Sequence, residues 1–458
     1  MRPQLLETVR FSALALALLW SAVARAELPA VTSHKTPNGI AFRHVQIDGV
    51  ARHTIAFGWH DAFARTLPGK EGLAYLGPRL MHEGTAALAR SAYSERLKDL
   101  QARATLAGSP YRTIASLSAP PEKIGEAVTL FADVLANPAL AADRLALLQK
   151  TMAASARQQA EQPEPLAHRL LHRLTLGPGP ALDATVIDPE SYARVTLDDV
   201  VAWRKAVLVQ DRVIVASAGP MTADAVGREI DRLFAGLPKS GVAFAAPAVP
   251  SLKALGRTVL LERPVVQTII VAEGPSGWTD APDANRATLA RRSMLGFDGR
   301  LMQAVRERLG AAYGVAARRF AYHAQAQSFE ISSPVDNSKA IDALATLRSE
   351  YDRIIAEGLA EPAVANLKAK LLADLQETFR QPEQAALTVR SALLAAFPED
   401  YYATLEARIG GYTAADITDG LKTKFPKAPL TVVIIAPSAE GFKADCVIKS
   451  PADIGSCE

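Results

Sequence analysis

Two stretches of this chain read alike and end alike. Val213-Ile214-Val215-Ala216-Ser217-Ala218 leads to Pro220, and Leu430-Thr431-Val432-Val433-Ile434-Ile435-Ala436 leads to Pro437. Each follows an earlier β-prone run by the same distance, since Ile40 stands as far ahead of Val213 as Val259 does ahead of Val432. A repeat that carries Ile40 onto Val259 and Val213 onto Val432 confines the chain to two similarly built halves. The stretch between them, 238–256, is rich in Pro, Ala and Gly without amphipathic period, as a linker is. Strand and helix patterns alternate within each half, so the expected class is α+β, a tandem duplication.

The first half opens with Ile40-Ala41-Phe42-Arg43-His44-Val45 and Thr54-Ile55-Ala56-Phe57-Gly58-Trp59, separated by Asp48-Gly49, which reads as a meander. Ile124, Ala127, Val128, Phe131, Val134 and Leu135 fall at helical spacing, and Asn137-Pro138 stops that helix. Thr222 is placed to cap a helix that runs to Phe234.

At 458 residues, 49% hydrophobic and 22% charged, the chain is neither disordered nor a single small module. The formal charge is +3; Arg2, Arg10 and Arg25 against Glu7 account for two of those units, so without positions 1–26 the chain carries +1. No basic field for nucleic acid remains. Arg2 and Arg10 precede an apolar run from Phe11 to Ala24, and Ala24-Arg25-Ala26 has the small-x-small form of a cleavage site. Positions 1–26 are therefore expected to be an export signal, leaving no membrane span after cleavage and placing the protein outside the cytoplasm, in the periplasm. An uncleaved anchor is the lesser alternative. Both cysteines, Cys446 and Cys457, lie in the tail 441–458, where an oxidising compartment favours their pairing.

Several stretches, in order, resemble the pitrilysin/insulinase family of zinc peptidases in its half-length, two-domain form. They are Gly72-Leu73-Ala74 with Gly84-Thr85, Phe131-Ala132-Asp133-Val134-Leu135-Ala136-Asn137-Pro138, and Ile187-Asp188-Pro189-Glu190-Ser191-Tyr192 with Thr196-Leu197-Asp198-Asp199. The second half adds Gln267, Leu295-Gly296, Arg300-Leu301 and the segment from Val305 to Val315. The resemblance implies two homologous domains, 27–237 and 257–440, each an antiparallel-rich mixed sheet with helices packed on one face.

That family needs H-x-x-E-H between its two glycine landmarks, so that two His on one helical face hold Zn²⁺ and the Glu activates water. The corresponding positions here are Tyr75, Pro78 and Arg79. Tyr titrates near ~10, Pro carries no acid, and Arg stays charged and repels a cation. The family's third ligand, an acid, falls in Thr151-Met152-Ala153-Ala154-Ser155-Ala156, which holds no carboxylate. The resemblance also implies a substrate-binding Arg and Tyr in the second domain, here Arg306 and Tyr313. Such donors stabilise a developing oxyanion, and Gly310 is placed to end the helix between them.

These features lead to the expectation of a subunit that is not catalytic alone and binds no cofactor. It would lend Arg306 and Tyr313 to a homologous, zinc-bearing partner in a heterodimer that hydrolyses peptides or unfolded segments. One rival is a scaffold or peptide-binding protein with no part in proteolysis. Another is a self-sufficient metallohydrolase using His168 and His172, whose spacing suits a metal, with Glu161 or Glu164; such pairs are common on exposed helix faces. His82-Glu83 offers a shifted zinc site without a second His, and His60-Asp61 reads as a turn contact. Gly108-Ser109-Pro110 reads as a turn, and neither a nucleophile elbow nor a phosphate loop is present.

Overall fold

The computed structural model describes residues 28–243, 248–277, 284–294, 299–323, 326–427 and 429–457. The export signal expected over 1–26, positions 244–247 of the linker, the Leu295-Gly296 landmark and Glu458 lie outside the described residues.

The first half supplies β1 (Val31–Lys35), β2 (Ala41–Gln46), β3 (His53–His60), β4 (Arg103–Ser109), β5 (Arg112–Ala119) and β6 (Ile214–Gly219), in the spatial order β1-β2-β6-β3-β5-β4. The second supplies β7 (Thr258–Glu262), β8 (Thr268–Ser276), β9 (Ala316–His323), β10 (Ala326–Val335), β11 (Thr431–Ala436) and β12 (Cys446–Ile448), in the order β12-β7-β11-β8-β10-β9. The two repeated strands take the same place. β6 lies parallel to β2 and antiparallel to β3, and β11 lies parallel to β7 and antiparallel to β8. The expected meander is therefore wrong: β2 and β3 do not pair, because β6 lies between them. The residues of β6 are apolar or small on both faces, which suits a central position.

Each half packs its own helices on one face of its sheet. In the first, Phe57, Leu117, Phe131, Val134, Trp203 and Phe234 share one core. The Ile124–Ala136 helix ends at Asn137, and Thr222 Oγ1 caps the Ala223–Phe234 helix by accepting from the Ala225 amide. In the second half, Ile270, Ile331, Val432 and Ile434 pack against Leu347, Ile354 and Leu421.

The opposite faces are covered by exchange. Alternate residues of β11, Val433 and Ile435, face away from that core and meet Leu166, Leu170, Leu171 and Leu174 of the Pro163–Leu176 helix, which belongs to the first half. Burying four leucines is worth roughly 6–12 kcal/mol as an upper bound. The Pro382–Leu394 helix of the second half covers the first sheet in return, seating Ala385, Ala386 and Val389 on Ala56, Ala216 and Ala218. Small residues on both sides let that helix lie close. The two exchanged helices begin at Pro163 and Pro382, a separation equal to that between Val213 and Val432 in the sequence repeat.

Cys446 and Cys457 are joined by a disulfide with Cα atoms 5.7 Å apart. It holds β12 and the tail's short helix beside the Pro163–Leu176 helix. No helix among the described residues is long and apolar enough to cross a membrane.

Candidate functional site

The Leu73–Met81 helix carries Tyr75, Pro78 and Arg79. Leu73, Leu76 and Leu80 face the first core and fix its orientation. Pro78 is buried inside the helix and has no N–H to give the Ala74 carbonyl one turn earlier. That carbonyl faces Gly108: a Cβ there would lie 2.0 Å from the Ala74 oxygen and 2.9 Å from Pro78 Cγ. Gly108 is thus a residue of β4 packed against the helix, and the turn expected at Gly108-Ser109-Pro110 begins only after Ser109.

Burial, followed by the neighbouring phenols of Tyr192 and Tyr111, pushes the Tyr75 hydroxyl up to about 12. Arg79 is exposed. On the adjacent Ala142–Glu161 helix, Ala153 is buried while Met152 and Ala156 pack against the first core. A phenol that resists ionisation, a proline ring, a guanidinium and an alkyl surface do not fit a zinc ion.

The nearby alternatives are structural. His82 packs against Tyr93 and Phe131 with ring centroids 6.1 and 5.7 Å away. Burial lowers its pKa to about 4. Glu83 pairs with both Arg90 and Arg144. Asp61 is a buried acceptor for Thr113 Oγ1 (2.8 Å), Trp203 Nε1 (2.8 Å) and the Phe63 amide (2.9 Å), and so does more than hold a turn.

In the second half, the Arg300–Met302 helix continues as a π-helical turn over Gln303–Arg308 that contains Arg306. Such turns often re-aim side chains at functional sites. Gly310 ends the segment at φ +61°, and Lys339 Nζ donates to the carbonyls of Leu309 and Gly310. The structure brings the expected pair together: the Arg306 guanidinium lies 5.2 Å from the centroid of the Tyr313 ring. Tyr313 precedes β9 and is 87% exposed.

His168 and His172 lie on the exchanged Pro163–Leu176 helix, facing the second sheet. They are not on an exposed face, and of the two carboxylates expected beside them only Glu164 is near, 3.9 Å from His168 Nε2. Glu161 pairs with Arg263, and Glu164 accepts from Ser332 Oγ. The buried acids that meet the histidines are Glu330 of β10 and Glu273 of β8, each 1% exposed. His168 Nδ1 lies 2.9 Å from Glu330 Oε2, and Arg318 binds the other oxygen. Glu273 accepts from Tyr322 at 2.6 Å and from Thr175 Oγ1 at 3.3 Å.

Burial opposes ionisation of Glu330, but the hydrogen bond from His168, the neighbouring His172 and the Arg318 guanidinium outweigh it and hold its pKa well below the carboxylate range. Burial dominates at Glu273 and pushes it up. Sequence reasoning missed both acids. The available signal was a Glu as the one charged residue in each of two strands, Thr268–Ser276 and Ala326–Val335.

The family described as insulinase (peptidase family M16) matches residues 68–189, and that described as peptidase M16 inactive domain matches residues 194–371. An uncharacterized zinc protease of Rickettsia bellii is 19% identical over 315 residues, covering 68% of this chain and 74% of that protein. In fold, the chain is similar to a peptidase M16 inactive domain from Pseudomonas fluorescens (20% identity, 89% of this chain and 98% of that chain, TM-score 0.80). It is also similar to the periplasmic protease PqqL from Escherichia coli (14% identity, 91% of this chain and 47% of that chain, TM-score 0.75).

Proposed function

Because the chain belongs to the insulinase family of peptidases (peptidase family M16), in a half-length form with two similar halves, we propose that it is the subunit without the catalytic zinc in an exported heterodimeric metallopeptidase. A homologous partner supplies the zinc and its H-x-x-E-H helix. This chain supplies Arg306 and Tyr313, whose donors hold the substrate backbone and stabilise the carbonyl oxygen as it gains charge. The observation that carries the reading is the pairing of a lost zinc set at Tyr75, Pro78 and Arg79 with a guanidinium and a phenol held together on the other half. The exposure of Tyr313 leaves its hydroxyl free to meet a substrate at a subunit boundary.

Substrates are peptides or unfolded segments that add a strand to a sheet edge. β4 and β9 end their sheets, and β9 begins shortly after Tyr313, at Ala316. Export to the periplasm is supported by Arg2, Arg10 and the apolar run after them, by the cysteine pair, and by the likeness to a periplasmic protease.

The test is co-purification from the native source, followed by peptidase assays of this chain alone, of the partner alone and of the pair. Hydrolysis requires both chains, and Arg306→Ala or Tyr313→Phe lowers kcat of the pair by about 10²–10³. Full activity from the partner alone overturns the proposal. Stable association without any effect of either substitution would favour a scaffold instead.

A further inference from the structure

The seam between the exchanged Pro163–Leu176 helix and the second sheet holds a group that the proposed peptidase role does not use. A ring nitrogen of His172, a Glu273 carboxylate oxygen and a Glu330 carboxylate oxygen all lie within 4.8 Å of one another, and all three residues are buried. His172 is 5% exposed, and its Nε2 stands 3.5 Å from Glu330 Oε2 without a hydrogen-bond partner among the described residues. A buried imidazole nitrogen that faces two carboxylates, 3.5 Å from one of them and without a well-formed hydrogen bond to either, completes a donor set arranged for a shared cation.

The surrounding groups are arranged as an outer shell. Tyr322 and Thr175 hold Glu273, while His168 and Arg318 hold Glu330. Phe320 and Tyr322 flank the His172 ring, with centroids 4.7 and 5.5 Å away. Hydrogen-bonded carboxylates of this kind are pre-oriented ligands. One imidazole and two carboxylates match the preferences of zinc and its first-row neighbours, whereas magnesium and calcium take oxygen alone.

We propose that His172, Glu273 and Glu330 bind one divalent cation of the zinc class, which ties a helix of the first half to β8 and β10 of the second. The ligands are buried, so the ion enters as the chain folds. The site is separate from the degenerate zinc helix, and its role is structural.

The experiment uses the full mature chain, purified without chelator and also refolded with Zn²⁺ or with EDTA. Elemental analysis is expected to give about one zinc per chain, and Zn²⁺ is expected to raise Tm over the EDTA sample. His172→Gln and Glu273→Gln should lose the metal and the Tm shift, and Tyr322→Phe should weaken binding about 10–100-fold. Should a variant fail to fold, X-ray absorption of the zinc-loaded wild type must show nitrogen and oxygen ligands with a single imidazole. Absence of stoichiometric zinc with no Tm response in the wild type, or zinc retained by folded His172→Gln, overturns the proposal.

Discussion

Gly108 of β4 is held against the carbonyl of Ala74, so closely that a Cβ at that position would lie 2.0 Å from the oxygen. The contact exists because Pro78 leaves that carbonyl without its helical donor. Gly108→Ala must therefore push the strand off the helix. The expected cost is about 1–3 kcal/mol, read as a lower urea midpoint at unchanged m. An unchanged midpoint would mean that the strand and the helix are not in contact.

Asp61 ties β3 to the Leu197–Val207 helix by accepting from Trp203 while also holding Thr113 and the Phe63 amide. Asp61→Ala strands three buried or half-buried donors, and a loss of about 3 kcal/mol or more is expected. Asp61→Asn keeps one acceptor oxygen and should lose less. Equal losses for the two substitutions would argue against the hydrogen bonds as the cause.

Acid should weaken the first half before the carboxylates titrate. Burial lowers the pKa of His53 to about 3 and that of His82 to about 4, against an ordinary value of 6.5. Between those values the unfolded chain binds protons that the folded chain does not, so stability present in full above the ordinary value is lost as pH falls through this window. The pocket of Tyr93 and Phe131 should accept Phe in place of His82. Relative to its difference from wild type at about pH 7.5, His82→Phe is expected to gain about 2–3 kcal/mol at about pH 4.5. Parallel stability–pH curves for the two proteins would contradict the assignment.

Leu171 sits wholly buried between the exchanged helix and the second sheet. Leu171→Ala should cost about 2–5 kcal/mol. Because that helix belongs to the first half, both halves should still melt in one transition when followed by tryptophan fluorescence and far-ultraviolet dichroism. A second transition, with the first half melting alone, would show that the seam does not couple them.

The repeat was legible because both halves carry an apolar strand followed by Pro, and the helices at Pro163 and Pro382 keep that spacing. The caps at Asn137 and Thr222 were equally local. The exchange of helices was not legible. Leu166, Leu170, Leu171 and Leu174 announce an apolar face, but a helical period does not say which sheet that face covers. For the same reason His168 and His172 read as surface residues, although both meet Glu330, far along the chain in the other half. The missing zinc ligands were visible at Tyr75, Pro78 and Arg79, whereas the role of Gly108 depends on a close approach that only tertiary structure creates.

The helix exchange also limits how this molecule can move. Swinging the halves apart about positions 238–256 would pull Leu170 and Leu171 off one sheet and Ala385 and Val389 off the other, uncovering two apolar surfaces at once. Separation of the two halves is therefore opposed by both exchanged helices. In the proposed heterodimer, the opening that admits a polypeptide would lie between the two subunits and not between these halves.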